Sequence, residues 1–327
     1  LLVQTRPNFY SLAMLRIRSL LLSTLLYSAL LLTTAIAAEP PHAEKLETVR
    51  LQLKWLHQFQ FAGYYAAVEQ GYYREAGLNV ILQEHKKGHT PLDILLAGDA
   101  DYAVSGSDVL VYKAEGKPLT ALAAISQHSP LSLLVKERSK IRVPSDLHGK
   151  RIMLDIGIKN APILAMLREA GLSPDAYTRQ DTSYNPLDLI TGKTDAFSAY
   201  VTNQGYRLQE LGIAYHHLVP SRFGVDFYDD VLVTTEQEIS HHPMRVARFR
   251  QASLKGWAYA MAHTDELVDL IIEKYNTQNK SREHLQYEAQ KMVELVQPLL
   301  VEIGYMHQTR WEHIQDTFQR LGFISQD

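Results

Sequence analysis

Whatever chemistry this chain performs rests on carboxylates, hydroxyls, amines, imidazoles and aromatic faces, because none of its 327 residues is a cysteine. That excludes thiolate nucleophiles, disulfides, Cys-ligated zinc or iron–sulfur clusters and lipidated cysteines. Aromatic side chains crowd one stretch, where Trp55 is followed at once by Phe59, Phe61, Tyr64 and Tyr65. Such rings either stack on a flat ligand or fill a core. The helical spacing of Phe61 and Tyr65 favours core, whereas Trp55 and Phe59 follow a strand, where open α/β sheets bind ligands, and suit either role. Ser105-Gly106-Ser107-Asp108 joins an apolar strand to a helix. Its hydroxyls and N–H groups suit an anion or a carbonyl, and Ser107 equally suits capping the helix. Asp155-Ile156-Gly157-Ile158-Lys159-Asn160 is a second strand-to-helix loop, without the glycine spacing of a phosphate loop. In Gly224-Val225-Asp226-Phe227-Tyr228 a carboxylate stands beside two aromatics, so Asp226 suits a ligand amine or a turn.

Fourteen histidines invite a test for metal. The adjacent pairs His216-His217 and His241-His242 point apart in a strand or a helix alike. There is no His-Glu-x-x-His, and Glu84-His85 with His89 forms no recognised cage, so the histidines read as solvated surface groups. No Gly-x-Ser-x-Gly is present to support a serine hydrolase. The residues predict no catalytic set, no metal and no cofactor.

The elements that must hold these residues alternate. Residues 49–55 alternate apolar and polar as a half-buried strand does, and 61–70 switch to helical spacing. Strands follow at 79–83, 102–104 and 119–125, separated by helices at 92–97 and 107–115 with Thr90-Pro91 as an entry signal and Gly98 and Gly116 as stops. The pattern restarts near residue 141 with strands at 151–154 and 195–200 and helices at 161–170, 186–191 and 203–211. After a strand at 231–234 the chain reads as helical, at 243–263, 265–275, 281–296 and 309–321. Strands alternating with helices imply α/β layers around a mostly parallel sheet.

Arg6, Arg16 and Arg18 precede an apolar run at 20–32, which exits through Ala35 and Ala37. That order predicts an export signal over 1–37, cleaved after Ala37, with an uncleaved N-terminal anchor as the alternative. Its removal takes three arginines and no acid, moving the formal charge from −3 to −6. A mildly acidic body offers no cationic cluster for nucleic acid. No later stretch has membrane length and apolarity.

The segment 53–67, reading Leu-Lys-Trp-Leu-His-Gln-Phe-Gln-Phe-Ala-Gly-Tyr-Tyr-Ala-Ala, followed by Gly71-Tyr72-Tyr73 and Ala76-Gly77-Leu78-Asn79-Val80, resembles the opening of periplasmic substrate-binding proteins of the thiamine-pyrimidine-precursor type. In that family the first strand ends in Trp, then a polar pair, here His57-Gln58, then a Gly-aromatic helix, here Gly63-Tyr64. Asp146-Leu147-His148-Gly149-Lys150-Arg151-Ile152 and 194–203 agree with it, and the resemblance runs from about Val49 to Gly322. It implies a type II periplasmic-binding-protein fold, two lobes joined by crossing strands at 131–135 and 231–234 with a ligand cleft between. The lobes fall at 49–135 with 235–327, and at 136–234, after a linker over 38–48.

The resemblance also implies a flat ligand, an aminopyrimidine of the hydroxymethyl or formylamino type, delivered by a monomer to the permease of an ABC importer. The ligand-binding candidates are then Trp55, His57, Phe59, Tyr64, Ser105, Ser107, Asp155, Tyr184, Tyr200, Asn203, Asp226 and Tyr228. Where relatives commonly read Asn-Glu-Pro, this chain has Asn203-Gln204-Gly205, which replaces a carboxylate with an amide. One branch of the family resembles a single-turnover pyrimidine synthase using pyridoxal phosphate, a consumed His, a Lys and a Cys-rich run with iron. Aligned on Ala114-Glu115-Gly116, those positions here hold Asp108, Val104 and 225–229, so the resemblance implies a binder. The other alternative is a sensory ectodomain of a membrane kinase or cyclase; the lack of a later membrane-length stretch favours the free receptor.

Overall fold

The computed structural model describes residues 45–154 and 157–325. The expected export signal, most of the linker and Asp155 lie outside the described residues. Two five-stranded sheets carry the rest. The first contains β1 (Glu47–Gln52), β2 (Leu78–Gln83), β3 (Tyr102–Ser105), β4 (Leu119–Ser126) and β10 (Asp229–Thr235) in the order β2-β1-β3-β10-β4. The second contains β5 (Leu131–Lys136), β6 (Arg151–Met153), β7 (Thr178–Gln180), β8 (Ala196–Tyr200) and β9 (Tyr215–Leu218) in the order β7-β6-β8-β5-β9.

The two orders are the same pattern. Three parallel strands are followed by one antiparallel strand and then a local edge strand: β10 is antiparallel to β3 and β4, and β5 to β8 and β9. In each sheet the antiparallel strand is the one that arrives from the other sheet. This corrects two expectations. The sheets are mixed, and the strands expected to cross each belong to one sheet, with 131–135 in the second and 231–234 in the first. The chain changes sheets in the short segments 127–130 and 219–228 that precede them. Short strands β7 and β9 escaped the sequence because polar residues fill them, Thr-Arg-Gln and Tyr-His-His-Leu.

The helix Ala62–Glu69 packs across the long helix Pro243–Ala262 under the first sheet, with two glycines at the crossing. A Cβ on Gly256 would stand 2.2 Å from the Gly63 carbonyl oxygen, and one on Gly63 would stand 2.2 Å from the Trp257 ring. Neither position accepts a side chain without separating the helices. Tyr64 is fully buried edge-on to Trp257, ring centroids 5.7 Å apart, and Phe59 is fully buried in the same core. Both are core residues, which corrects their assignment to the cleft. The Gly-aromatic step serves helix packing.

Candidate functional site

In the first sheet, parallel strands β1 and β3 end where antiparallel β10 begins, so residues far apart in sequence meet at one edge. Lys54, just past β1, reaches Asp229 and Asp230 at the start of β10. Its ammonium hydrogen-bonds the Asp229 carboxylate, lies 3.0 Å from Asp230 Oδ1 and stands 5.5 Å from the Tyr200 ring centroid. Gln60 Nε2 donates to Asp230 Oδ1 at 2.6 Å, and Ser126 Oγ donates to its other oxygen at 2.7 Å. Ser129 Oγ donates to Asp229 Oδ2 at 3.2 Å. Burial by itself lowers the Lys54 pKa, but the two aspartates outweigh it and hold the ammonium well above the ordinary lysine range. Burial raises the Asp229 carboxyl, with Lys54 opposing. Asp230 takes a left-handed backbone conformation, φ +47°, at the point where the strand starts.

Above this floor lies a cleft of about 470 Å³ lined from both sheets. The first sheet supplies Lys54, Trp55, Gln58, Gln60, Ser105–Asp108 and Asp229; the second supplies 157–160, Thr182, Tyr184, Ser198–Tyr200, Asn203 and Gln204. These positions lie at or just after the carboxyl ends of parallel strands, or open β10, the usual place for ligands in open α/β sheets. Trp55 and Tyr184 face each other from the two sides, ring centroids 6.4 Å apart and planes inclined by 41°. Both are exposed, Trp55 to 37% and Tyr184 to 64%, and Tyr184 has φ +56°, a conformation sparsely populated by aromatic residues.

The serine loop runs opposite to the expected polarity. Ser105 Oγ and Gly106 N–H both donate to Asp108 Oδ1 at 2.9 Å, and Ser107 Oγ donates to the Tyr228 carbonyl at 2.7 Å. The donors expected to meet an anion are therefore turned inward, two of them captured by the Asp108 carboxylate within three residues and the third by the Tyr228 carbonyl. Ser107 makes no cap either, since the helix begins at Val109 and Asp108 holds the N-cap position.

Of the sequence candidates, Trp55, Ser105, Ser107, Tyr184, Tyr200, Asn203 and Tyr228 line the cleft. Asn203 is heavily engaged: its Oδ1 accepts from His284 Nε2 at 3.0 Å and Lys280 Nζ at 3.3 Å, and its Nδ2 donates to Gln58 Oε1 at 3.4 Å. Lys280 also bonds the buried Glu288, whose other oxygen accepts the Phe59 N–H at 3.0 Å. A polar bracket thus ties the Trp55-following loop to the segment after β8. Gln204 accepts the Tyr200 N–H at 2.8 Å, so its amide oxygen shapes the turn.

Two further candidates lie elsewhere. His57 sits beside the cleft, its Nδ1 2.9 Å from the Tyr65 hydroxyl, and lines no part of it. Asp226 pairs with His128 at 2.8 Å and Arg310 at 2.5 Å, joining the two segments that change sheets; this corrects its assignment to a ligand amine. The histidine expectation also changes. His216 bonds Glu137 at 2.8 Å and the Ile141 carbonyl at 2.7 Å, while His217 is turned inward onto Ser132 at 2.8 Å. Among the described residues no cluster of three or more His, Asp or Glu could hold a metal.

Lys54, Gln60, Asp108 and Asp229 are the site residues that sequence reasoning missed as ligand-facing groups. A signal existed: Lys54 and Asp229-Asp230 are charges set at the ends of apolar strands. The period-two alternation assigns Lys54 to a solvent face, yet at the end of β1 that face looks into the cleft.

A family model described as "NMT1/THI5 like" matches residues 58–267. A riboflavin-binding protein of Chloroflexus aurantiacus is 26% identical over 72% of this chain and 69% of its own length. A formylaminopyrimidine-binding protein of Halalkalibacterium halodurans is 25% identical over 80% of this chain and 81% of its own length. A 4-amino-5-hydroxymethyl-2-methylpyrimidine phosphate synthase of Legionella pneumophila is 23% identical over 69% of this chain and 73% of its own. Among solved structures, the periplasmic aliphatic sulphonate binding protein of Escherichia coli superposes with a TM-score of 0.65 at 15% identity, covering 85% of this chain and 88% of that one. The two-sheet architecture is that of periplasmic binding proteins. Among the described residues no helix is long and apolar enough to cross a membrane.

Proposed function

The chain belongs to the NMT1/THI5-like family, and on that premise we propose that it is an extracytoplasmic receptor for a small flat heteroaromatic, a thiamine pyrimidine precursor of the hydroxymethyl or formylamino type. In this reading it works as a monomer that hands the ligand to the permease of an ABC importer. One observation carries it: Trp55 and Tyr184 face one another over a polar floor, 6.4 Å between centroids, from opposite sides of one cleft. Two ring faces so placed hold a planar ligand by its faces, leaving the floor to read its edge. The segments 127–130 and 219–228 are where such a receptor would hinge, and ligand contacts with both sides would favour the closed form.

Binding without turnover is the reading the floor supports. The floor lysine Lys54 is held as an ammonium by two carboxylates, and an ammonium has no lone pair with which to attack a carbonyl.

The test is thermal stabilisation of the purified full chain by hydroxymethylpyrimidine, formylaminopyrimidine, riboflavin and an alkanesulfonate, with mass spectrometry of any retained ligand. Stabilisation follows RT ln(1 + [L]/Kd), about 2.7 kcal/mol at 100 Kd. A shift with sulfonate alone would remove the heteroaromatic assignment.

A further inference from the structure

We propose that Asp108 selects the ligand, its open carboxylate oxygen accepting an N–H from an amino group or ring nitrogen, so that the cleft takes donor-bearing neutral or cationic heteroaromatics and rejects their anionic esters. The inference rests on the receptor reading above and specifies the ligand class for that site.

Asp108 is 6% exposed and lines the cleft. One oxygen, Oδ1, receives both Ser105 Oγ and the Gly106 N–H. Its other oxygen has no hydrogen-bond donor among the described residues, although a carboxylate accepts at both. Because Asp108 lines the cleft, a ligand N–H entering there is the donor that can reach this oxygen.

The surrounding charge points the same way. Asp108 Oδ1 and Asp229 Oδ1 each lie 3.3 Å from where a Cβ on Gly106 would stand, so two carboxylates flank one backbone point. The nearby cation, Lys54, is already engaged by Asp229 and Asp230. Lys159 also lines the cleft but is solvent-exposed, where water and salt screen it. The hydroxyls of Ser105 and Ser107 and the N–H of Gly106, which could have met an anion, are committed inward. Along the serine loop, then, the cleft meets a carboxylate while the loop's own hydroxyls and the Gly106 N–H are already bonded.

Asp108→Asn is a suitable probe, because the amide keeps one oxygen for Ser105 and Gly106 and replaces the open oxygen with a donor. Calorimetric titration of the full chain, with circular dichroism as the fold control, compares 4-amino-5-hydroxymethyl-2-methylpyrimidine, its analogue lacking the amino group, and its phosphate ester. Wild type should prefer the amino compound over the other two by roughly 10- to 100-fold, the range of a hydrogen bond to a charged group. Asp108→Asn should collapse both preferences, with Asp108→Ala doing the same for the amino preference. If wild type binds a flavin instead, riboflavin against its 5′-phosphate reads the same anion rejection, and its loss in Asp108→Asn supports the proposal while the pyrimidine assignment falls. Unchanged preferences in a folded Asp108→Asn protein overturn the role of Asp108 and leave the receptor standing. Equal affinity of wild type for ester and alcohol also overturns it. Binding of none of these probes, or of an alkanesulfonate alone, overturns both.

Discussion

The Trp55 and Tyr184 rings lie 6.4 Å apart, tilted by 41°, one on the loop after β1 and the other on the loop after β7. A flat ring seated between two others needs about 7 Å, two carbon–carbon contacts of about 3.5 Å. The pair is thus within about an ångström of a sandwich, which a slight opening and a flattening of the tilt would supply.

Trp55→Ala and Tyr184→Ala should each weaken ligand binding by about 1–3 kcal/mol, the worth of one aromatic stacking face on a base. Because both rings are exposed, unfolding midpoints should stay within about 0.5 kcal/mol of wild type. Titration calorimetry beside urea unfolding separates the two effects. Equal affinity in both variants would dismiss the sandwich.

Lys54, Asp229 and Asp230 behave as one unit. Lys54→Met or Asp229→Asn alone strands buried charge and should destabilise by about 3–5 kcal/mol. The double variant should be less destabilised than the sum, since it removes partners together. Urea unfolding of the four proteins gives the coupling directly; strict additivity would mean the contact carries no energy.

Gly256→Ala should cost at least about 1–3 kcal/mol, and more if the helices cannot part, because its Cβ would meet the Gly63 carbonyl oxygen at 2.2 Å. Gly63→Ala should do similarly against Trp257. Indole fluorescence of the buried Trp257 reports whether the crossing has loosened, and thermal melts give the loss.

Burial, with Lys291, His216 and Arg222 nearby, pushes the His217 imidazole down to about 3. The folded protein keeps it neutral while the unfolded chain protonates it below about 6.5, so folding excludes a proton in that window. Its share of stability is therefore complete above pH 6.5 and is lost as pH falls toward 3, by up to about 1.4 kcal/mol per pH unit. Unfolding measured between pH 5 and 7 should show a shallower pH slope in His217→Gln than in wild type. Identical slopes would place that proton uptake elsewhere.

Periodicity made most helices and the long strands legible, because amphipathic spacing is a local property. Thr90-Pro91 announced its helix truthfully: the Thr90 side chain accepts from the Asp93 N–H in a capping box with Pro91 at the first turn. Trp55, Tyr184, Tyr200, Asn203 and Tyr228 were recoverable as cleft residues from their place beside strand ends. Phe59 and Tyr64 were misplaced for a different reason. Whether an aromatic faces ligand or core depends on helices some two hundred residues downstream, Pro243–Ala262 against Tyr64 and Arg282–Val296 against the turn that holds Phe59.

By itself the sequence determined the α/β class, the absence of thiol chemistry and the family, since these follow from composition, spacing and short motifs. Tertiary structure decided the site's polarity. Only when β10 runs antiparallel beside β3 does its first residue arrive at the end of β1, neutralising Lys54 with Asp229 and Asp230. Only the folded loop shows that Ser105 and Gly106 spend their donors on Asp108. Charge compensation is a matter of distance in space, and no reading along the chain contains that distance.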